Sequence, residues 1–154
     1  MKNKYEYLKI YFDGGSRGNP GPSAIGAVIY DQEDKRVGQI SEYIGKYTNN
    51  IAEYISLEKV LEYISQFETS RIILFTDSKL VHNQVKKIWK IKDKKILEIY
   101  LRLTSKLSAY STVDLRFVPR EENTEADRLV NEALDKKELS YEGESEINFG
   151  VIED

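Results

Sequence analysis

The chain has 154 residues, 40% apolar and 32% charged, with a formal net charge of −3 and no cysteine. That length fits one domain with a real core, and the longest apolar runs are far too short to cross a bilayer. Without cysteine there are no disulfides or thiolate metal sites, which fits a reducing, cytoplasmic setting; the first residues carry no apolar stretch, so no secretory signal is expected.

Residues 5–12 alternate, with Glu6, Leu8, Ile10 and Phe12 on one face and Tyr5, Tyr7, Lys9 and Tyr11 on the other, which predicts a strand. The Gly- and Pro-rich stretch 13–22 reads as a loop. Strands are predicted at 24–31 and 37–44, joined by the polar turn 32–36, so the first three strands form an antiparallel meander. The period then changes. Over residues 50–67, Ile51, Tyr54, Ile55, Val60, Leu61, Ile64 and Phe67 keep one helical face apolar. Residues 71–76 are a short strand of the buried kind. Helices follow at 78–88 and 94–107, a strand at 113–118, a stop at Pro119 and a final helix at 122–136. This order predicts an α/β fold, a mixed five-stranded sheet flanked by helices.

Charge is unevenly spread. Residues 138–154 hold six acids and no Lys or Arg, leaving +3 on residues 1–137. The domain is therefore expected to span 1–137, followed by an acidic tail at 138–154. In the tail Ile147, Phe149 and Val151 alternate, which reads either as an added edge strand or as disorder. Within residues 86–95 six lysines face one acid, Asp93, with Ile88, Trp89 and Ile91 interleaved. That stretch reads equally as a nucleic-acid groove or as a solvated helix end.

Four carboxylates stand in recognisable settings. Asp13 ends the first strand and opens Asp13-Gly14-Gly15-Ser16-Arg17-Gly18-Asn19-Pro20-Gly21-Pro22. Glu53 follows Thr48-Asn49-Asn50 at a helix start. Asp77 follows strand 71–76, and Asp127 lies in Arg120-Glu121-Glu122-Asn123-Thr124-Glu125-Ala126-Asp127. Singly, each reads as a turn or helix-cap residue. As a set they point to one crevice beyond the strand ends. Acids gathered there demand raised pKa values or a hard divalent cation.

Those four motifs, in this order and spacing over residues 5–136, resemble type 1 ribonuclease H, in the branch with Arg-Glu-x-Asn before the last aspartate. The resemblance implies hydrolysis of the RNA strand of RNA–DNA hybrids, with Asp13, Glu53, Asp77 and Asp127 as catalytic metal ligands. It implies two Mg2+ ions, replaceable by Mn2+, about 4 Å apart across an in-line displacement. Asp13 would bridge the ions, Glu53 and Asp77 would hold one side and Asp127 the other. The products would carry 5′-phosphate and 3′-hydroxyl ends. Asn19, Asn49 and Asn50 match positions that read the minor groove and the 2′-hydroxyl, although Asn49 and Asn50 also read as helix caps. Thr48 matches a residue that grips a DNA-strand phosphate. Lys86, Lys87, Trp89 and Lys90 are candidates for the DNA-strand groove, and Arg17 reads equally as a phosphate contact or a solvated arginine. A monomer, away from membranes, is expected. Many members carry a histidine on the loop before the last aspartate. Here Arg120 or Glu121 stands in that region, and the single histidine, His82, lies elsewhere. Rival readings are a metal-free binding module, a DNA nuclease of the same fold and a structural partner-binding domain.

Overall fold

The computed structural model describes the backbone of residues 2–153 and the side chains of residues 2–140. The elements are β1 (Leu8–Ser16), β2 (Gly21–Tyr30), β3 (Arg36–Tyr47), α1 (Asn49–Ile64), β4 (Arg71–Thr76), α2 (Lys79–Val85), α3 (Lys94–Leu107), β5 (Thr112–Phe117) and α4 (Thr124–Glu153), with a short 3-10 turn at Arg120–Glu122. The sheet order is β3-β2-β1-β4-β5. β1, β2 and β3 pair antiparallel, while β4 runs parallel to both β1 and β5. The predicted fold class and element order both hold.

Alternation in β1 sends Leu8, Ile10 and Phe12 into the main core. They meet Ile72 and Leu74 of β4 and the apolar faces of α1 and α3, including Tyr54, Leu57, Val60, Ile96 and Leu103. α4 packs on β2, β3 and β1, where Val130, Ala133 and Leu134 close a smaller cluster around Ala24. Each fully buried Leu or Ile contributes about 1.5–3 kcal/mol.

Three predicted boundaries are corrected. First, β1 starts at Leu8 and runs on through Asp13 to Ser16, pairing Asp13 with Gly26 and Ser16 with Ser23. Only Arg17–Pro20 is left as the connection. Composition argued for a loop because Gly14 and Gly15 are poor strand formers, but here glycine serves close packing. A Cβ on Gly14 would sit 2.2 Å from the Ala52 carbonyl oxygen of α1, and one on Gly26 would sit 2.3 Å from the Ala126 carbonyl oxygen of α4. Second, α2 ends at Val85 rather than residue 88. Lys87 adopts a left-handed φ of 64°, which halts the helix. Lys90 and Lys92 therefore lie on an irregular segment, while Lys94 and Lys95 open α3 at an exposed helix end. Third, the backbone of α4 stays helical to Glu153, so the tail is not an edge strand. Ile147 and Val151 also stand at helical i,i+4 spacing, so the same residues satisfy either period. The side chains of Ile147, Phe149 and Val151 lie outside the described residues.

α1 and α3 are tied by Glu58, whose side chain is 11% exposed. Arg102 Nε and Nη2 donate to its two oxygens at 2.6 and 3.1 Å, and Lys106 Nζ stands 3.6 Å away. The Arg102 guanidinium holds the Glu58 carboxyl below its usual range. Arg102→Ala should cost about 2 kcal/mol, because it leaves a mostly buried carboxylate short of its best partner. The depressed pKa means this contribution is present above the ordinary glutamate range and fades as acid protonates Glu58. Urea unfolding at neutral pH and in acid checks both points. An equal loss at both pH values would rule out the ion pair as the cause.

Candidate active site

Parallel pairing of β1 with β4 ends at Tyr11 and Phe75. Asp13 and Asp77 each lie two residues further on, side by side where the strands part. Glu53 is the fifth residue of α1 and Asp127 the fourth of α4, both in the opening turns of helices that begin at this edge. Capping does not account for Glu53 or Asp77. α1 is capped by Thr48, whose hydroxyl accepts from Ile51 N–H at 3.3 Å. α2 is capped by Ser78, which accepts from Val81 N–H at 3.1 Å.

The half-buried carboxylates of Asp13, Glu53 and Asp77 offer oxygens within 4.8 Å of one another. Asp127 lines the same cleft, with Asp13, Glu53, Asn49 and Arg120, but stands outside that close trio. Burial pushes the Asp13 carboxyl up to about 8, with repulsion from Asp77, Glu53 and Asp127 adding to it. Burial raises Glu53 to about 7, against the opposing hydrogen bond from Ser78. Asp77 is raised by burial too, opposed by the Asn123 amide and the Arg120 charge. Three hard oxygen donors that repel one another are a donor set suited to a divalent cation.

Neighbouring amides hold these acids in place. Asn49 Nδ2 stands 3.4 Å from Glu53 Oε1, while Asn49 Oδ1 accepts from Ser16 N–H at 3.3 Å. Asn123, 1% exposed, donates to the Phe12 carbonyl at 3.0 Å and to Asp77 Oδ2 at 3.3 Å. The positioning roles of Asn123 and Ser78 were missed from sequence. Asn123 lies in the Arg120–Asp127 motif, which is the signal the sequence offers for it.

A second groove, of about 370 Å³, is lined by Asn19, Thr48, Asn50, Gln84, Lys90 and Lys92. Asn49 N–H donates to Asn19 Oδ1 at 3.1 Å, so the first turn of α1 forms the ridge between groove and acid cleft. Lys87, Ile88, Trp89 and Lys90 line an adjoining depression with Leu97 and Tyr100. Lys86 points elsewhere, its Nζ reaching the Leu115 carbonyl at 3.4 Å. Lys92, another of the six lysines of the basic stretch, lines the groove as well. Arg17 lines the acid cleft, but its guanidinium is 2.7 Å from both Asp135 and Glu138, so a phosphate would compete with two carboxylates. His82 bonds to Asn83 and lies edge-on to Phe117, outside both cleft and groove.

Residues 11–133 match the family model described as reverse transcriptase-like. The chain is 40% identical over 128 residues to ribonuclease HI of Halobacterium salinarum, covering 83% of this chain and 64% of that protein. It is 39% identical over 127 residues to a bifunctional protein of Mycobacterium tuberculosis, covering 82% of this chain but 35% of the relative's length. The crystal structure of RNase H1 from Halobacterium salinarum superposes with a TM-score of 0.82 at 38% identity, covering 84% of this chain and 98% of that one. LC11-RNase H1, solved in complex with an RNA/DNA hybrid, superposes with a TM-score of 0.80 at 36% identity, covering 84% and 98% of the two chains. With the acid cluster on the same mixed sheet, these similarities establish that the chain belongs to the ribonuclease H family.

Proposed function

We propose that the protein is a divalent-metal-dependent endonuclease that cuts the RNA strand of RNA–DNA hybrids, leaving 5′-phosphate and 3′-hydroxyl ends. The observation that carries this reading is the trio of Asp13, Glu53 and Asp77 within 4.8 Å, with Asp127 in the same cleft. In this reading the four acids hold two Mg2+ ions, or Mn2+ in their place. When bound, such ions supply an activated water and neutralise charge developing at the phosphate. The chain's own contribution is placement. Asn49 and Asn123 fix the carboxylates of Glu53 and Asp77. Arg120, whose charge already offsets Glu53 and Asp77, takes part of the task of the loop histidine that this branch lacks. Asn19, Thr48, Asn50, Lys90 and Lys92 offer amides, a hydroxyl and cations to the DNA strand and the minor groove. Asn49, on the ridge, reaches towards the RNA 2′-hydroxyl. Arg17 joins the RNA-strand contacts only when a phosphate displaces Asp135 and Glu138.

An end-labelled hybrid, with matched single strands and duplexes alongside, tests the reading. Only the RNA of the hybrid is expected to be cut, and only with Mg2+ or Mn2+ present. Equal cutting of duplex DNA would assign the fold to a DNA nuclease. Hybrid binding without cutting under any divalent metal would leave a binding module.

A further inference from the structure

We propose that Gln84 is a positioning residue that sets the grip of the basic segment from within the core. The inference rests on the hybrid-binding reading above and adds a residue that no motif in the chain marks. Gln84 is the sixth residue of α2 and is 7% exposed. Its Nε2 donates to the Lys90 carbonyl at 3.0 Å, and Tyr54 Oη, from the core face of α1, donates to its Oε1 at 2.8 Å.

The direction of this chain is forced. A backbone carbonyl only accepts, so the amide nitrogen must face Lys90. The amide oxygen then faces Tyr54, whose hydroxyl must donate. Tyr54 is fully buried, so this hydroxyl has no water to turn to.

The segment needs such an anchor. Lys87, Ile88 and Trp89 return their N–H groups to the Gln84 and Asn83 carbonyls at 3.0, 2.7 and 3.0 Å. Residues 90–92 make no backbone–backbone hydrogen bond among the described residues. The Gln84 amide is the polar tie on the backbone between Trp89 and the start of α3, beside the packing of Ile91 on the core. Lys90 and Lys92, on that stretch, line the groove shared with Asn19, Thr48 and Asn50. Holding their backbone leaves two lysines preset towards one polyanion track rather than ordered anew on binding.

The experiment compares wild type with Tyr54→Phe, Gln84→Leu and the double variant. It follows hybrid binding across salt, KM and kcat separately, and amide hydrogen exchange over residues 87–92. Each single variant is expected to raise KM about fivefold with kcat held, and to lower the salt slope by about one phosphate contact. Exchange should quicken in residues 87–92 and not in β1 or β4. The double variant should be little worse than either single one, because both break the same chain. Wild-type KM, slope and exchange in a folded single variant would overturn the proposal. If Gln84→Leu does not fold, Tyr54→Phe carries the test, since it removes one hydroxyl only. If wild type fails to cut or bind the hybrid, the functional reading falls separately. The salt slope on single-stranded DNA and the exchange pattern then decide on Gln84, unchanged values overturning it.

Discussion

Asp13→Asn is expected to abolish hybrid cleavage, by about a thousandfold or more, while making the metal-free protein harder to unfold. Both effects have one cause. In the folded chain burial and three neighbouring acids push the Asp13 carboxyl up to about 8. In the unfolded chain it titrates near its ordinary value of about 4. A group whose pKa is raised by folding binds more protons folded than unfolded. Stability is therefore full in acid and is lost as pH rises from the unfolded value through the folded one. Glu53, raised to about 7, adds a loss of the same sign. Metal-free wild type should thus weaken steadily from about pH 4 to pH 8, and Asp13→Asn should weaken less. At pH 8 the variant should gain on the order of 2 kcal/mol, or about 5 °C in Tm. Added Mg2+ should raise the Tm of wild type and narrow the gap, since a ligand that binds only the folded state stabilises it. Thermal melts at several pH values with chelator or Mg2+, beside hybrid cleavage, provide the check. A variant that melts lower than wild type at pH 8 without metal would show that Asp13 has a stabilising partner instead of repelling neighbours.

Gly14→Ala should be the most damaging small substitution near the site. The added Cβ would fall 2.2 Å from the Ala52 carbonyl oxygen and 2.7 Å from the Glu53 backbone nitrogen. Neither is the end of a flexible side chain, so β1 and α1 must part. Overpacking of this kind should cost about 3 kcal/mol. The displacement also moves Glu53 relative to Asp13, and misplacement of about 1 Å costs about a hundredfold in rate. Gly15→Ala is the control, because its Cβ would meet only the Val130 Cγ1 methyl at 3.3 Å. It should stay within about 1 kcal/mol of wild type and keep most activity. Denaturant melts and cleavage rates on both variants separate them. Equal stability of the two would refute close packing as the reason for Gly14.

What was readable from sequence follows physical lines. The bounds of α3 are legible because Ile96, Leu97, Tyr100, Leu103 and Leu107 stand in step at helical spacing; the Asp93 cap emerges only in the structure. β4 was equally plain as a short apolar run. The β1–β2 hairpin was misjudged at its tip, because glycine marks both turns and close packing, and only the third dimension says which. The end of α2 was overrun because no glycine or proline stops it; a left-handed lysine does. The acids themselves were legible from their motifs, and three of the four meet as expected. The groups that steady them were not. Asn123 reaches Asp77 across 46 residues of sequence, and the Tyr54–Gln84 tie beneath the basic segment likewise spans 30. Contacts of that range leave no periodic trace. Arg17 was undecided from sequence because its partners, Asp135 and Glu138, arrive only when α4 folds back across the hairpin.

Asp127 makes α4 a part of the proposed active cleft. The acids enter the chain at residues 13, 53, 77 and 127 and are joined only by the folded sheet and its helices. Asp13, Glu53 and Asp77 stand on β1, on α1 and just past β4, and only Asp127 comes from α4. The cleft, which Asp127, Val130, Asn131 and Leu134 help to wall, closes only when that helix docks. A chain that stops short of α4 would therefore lack one of the four proposed metal ligands and one wall of the cleft.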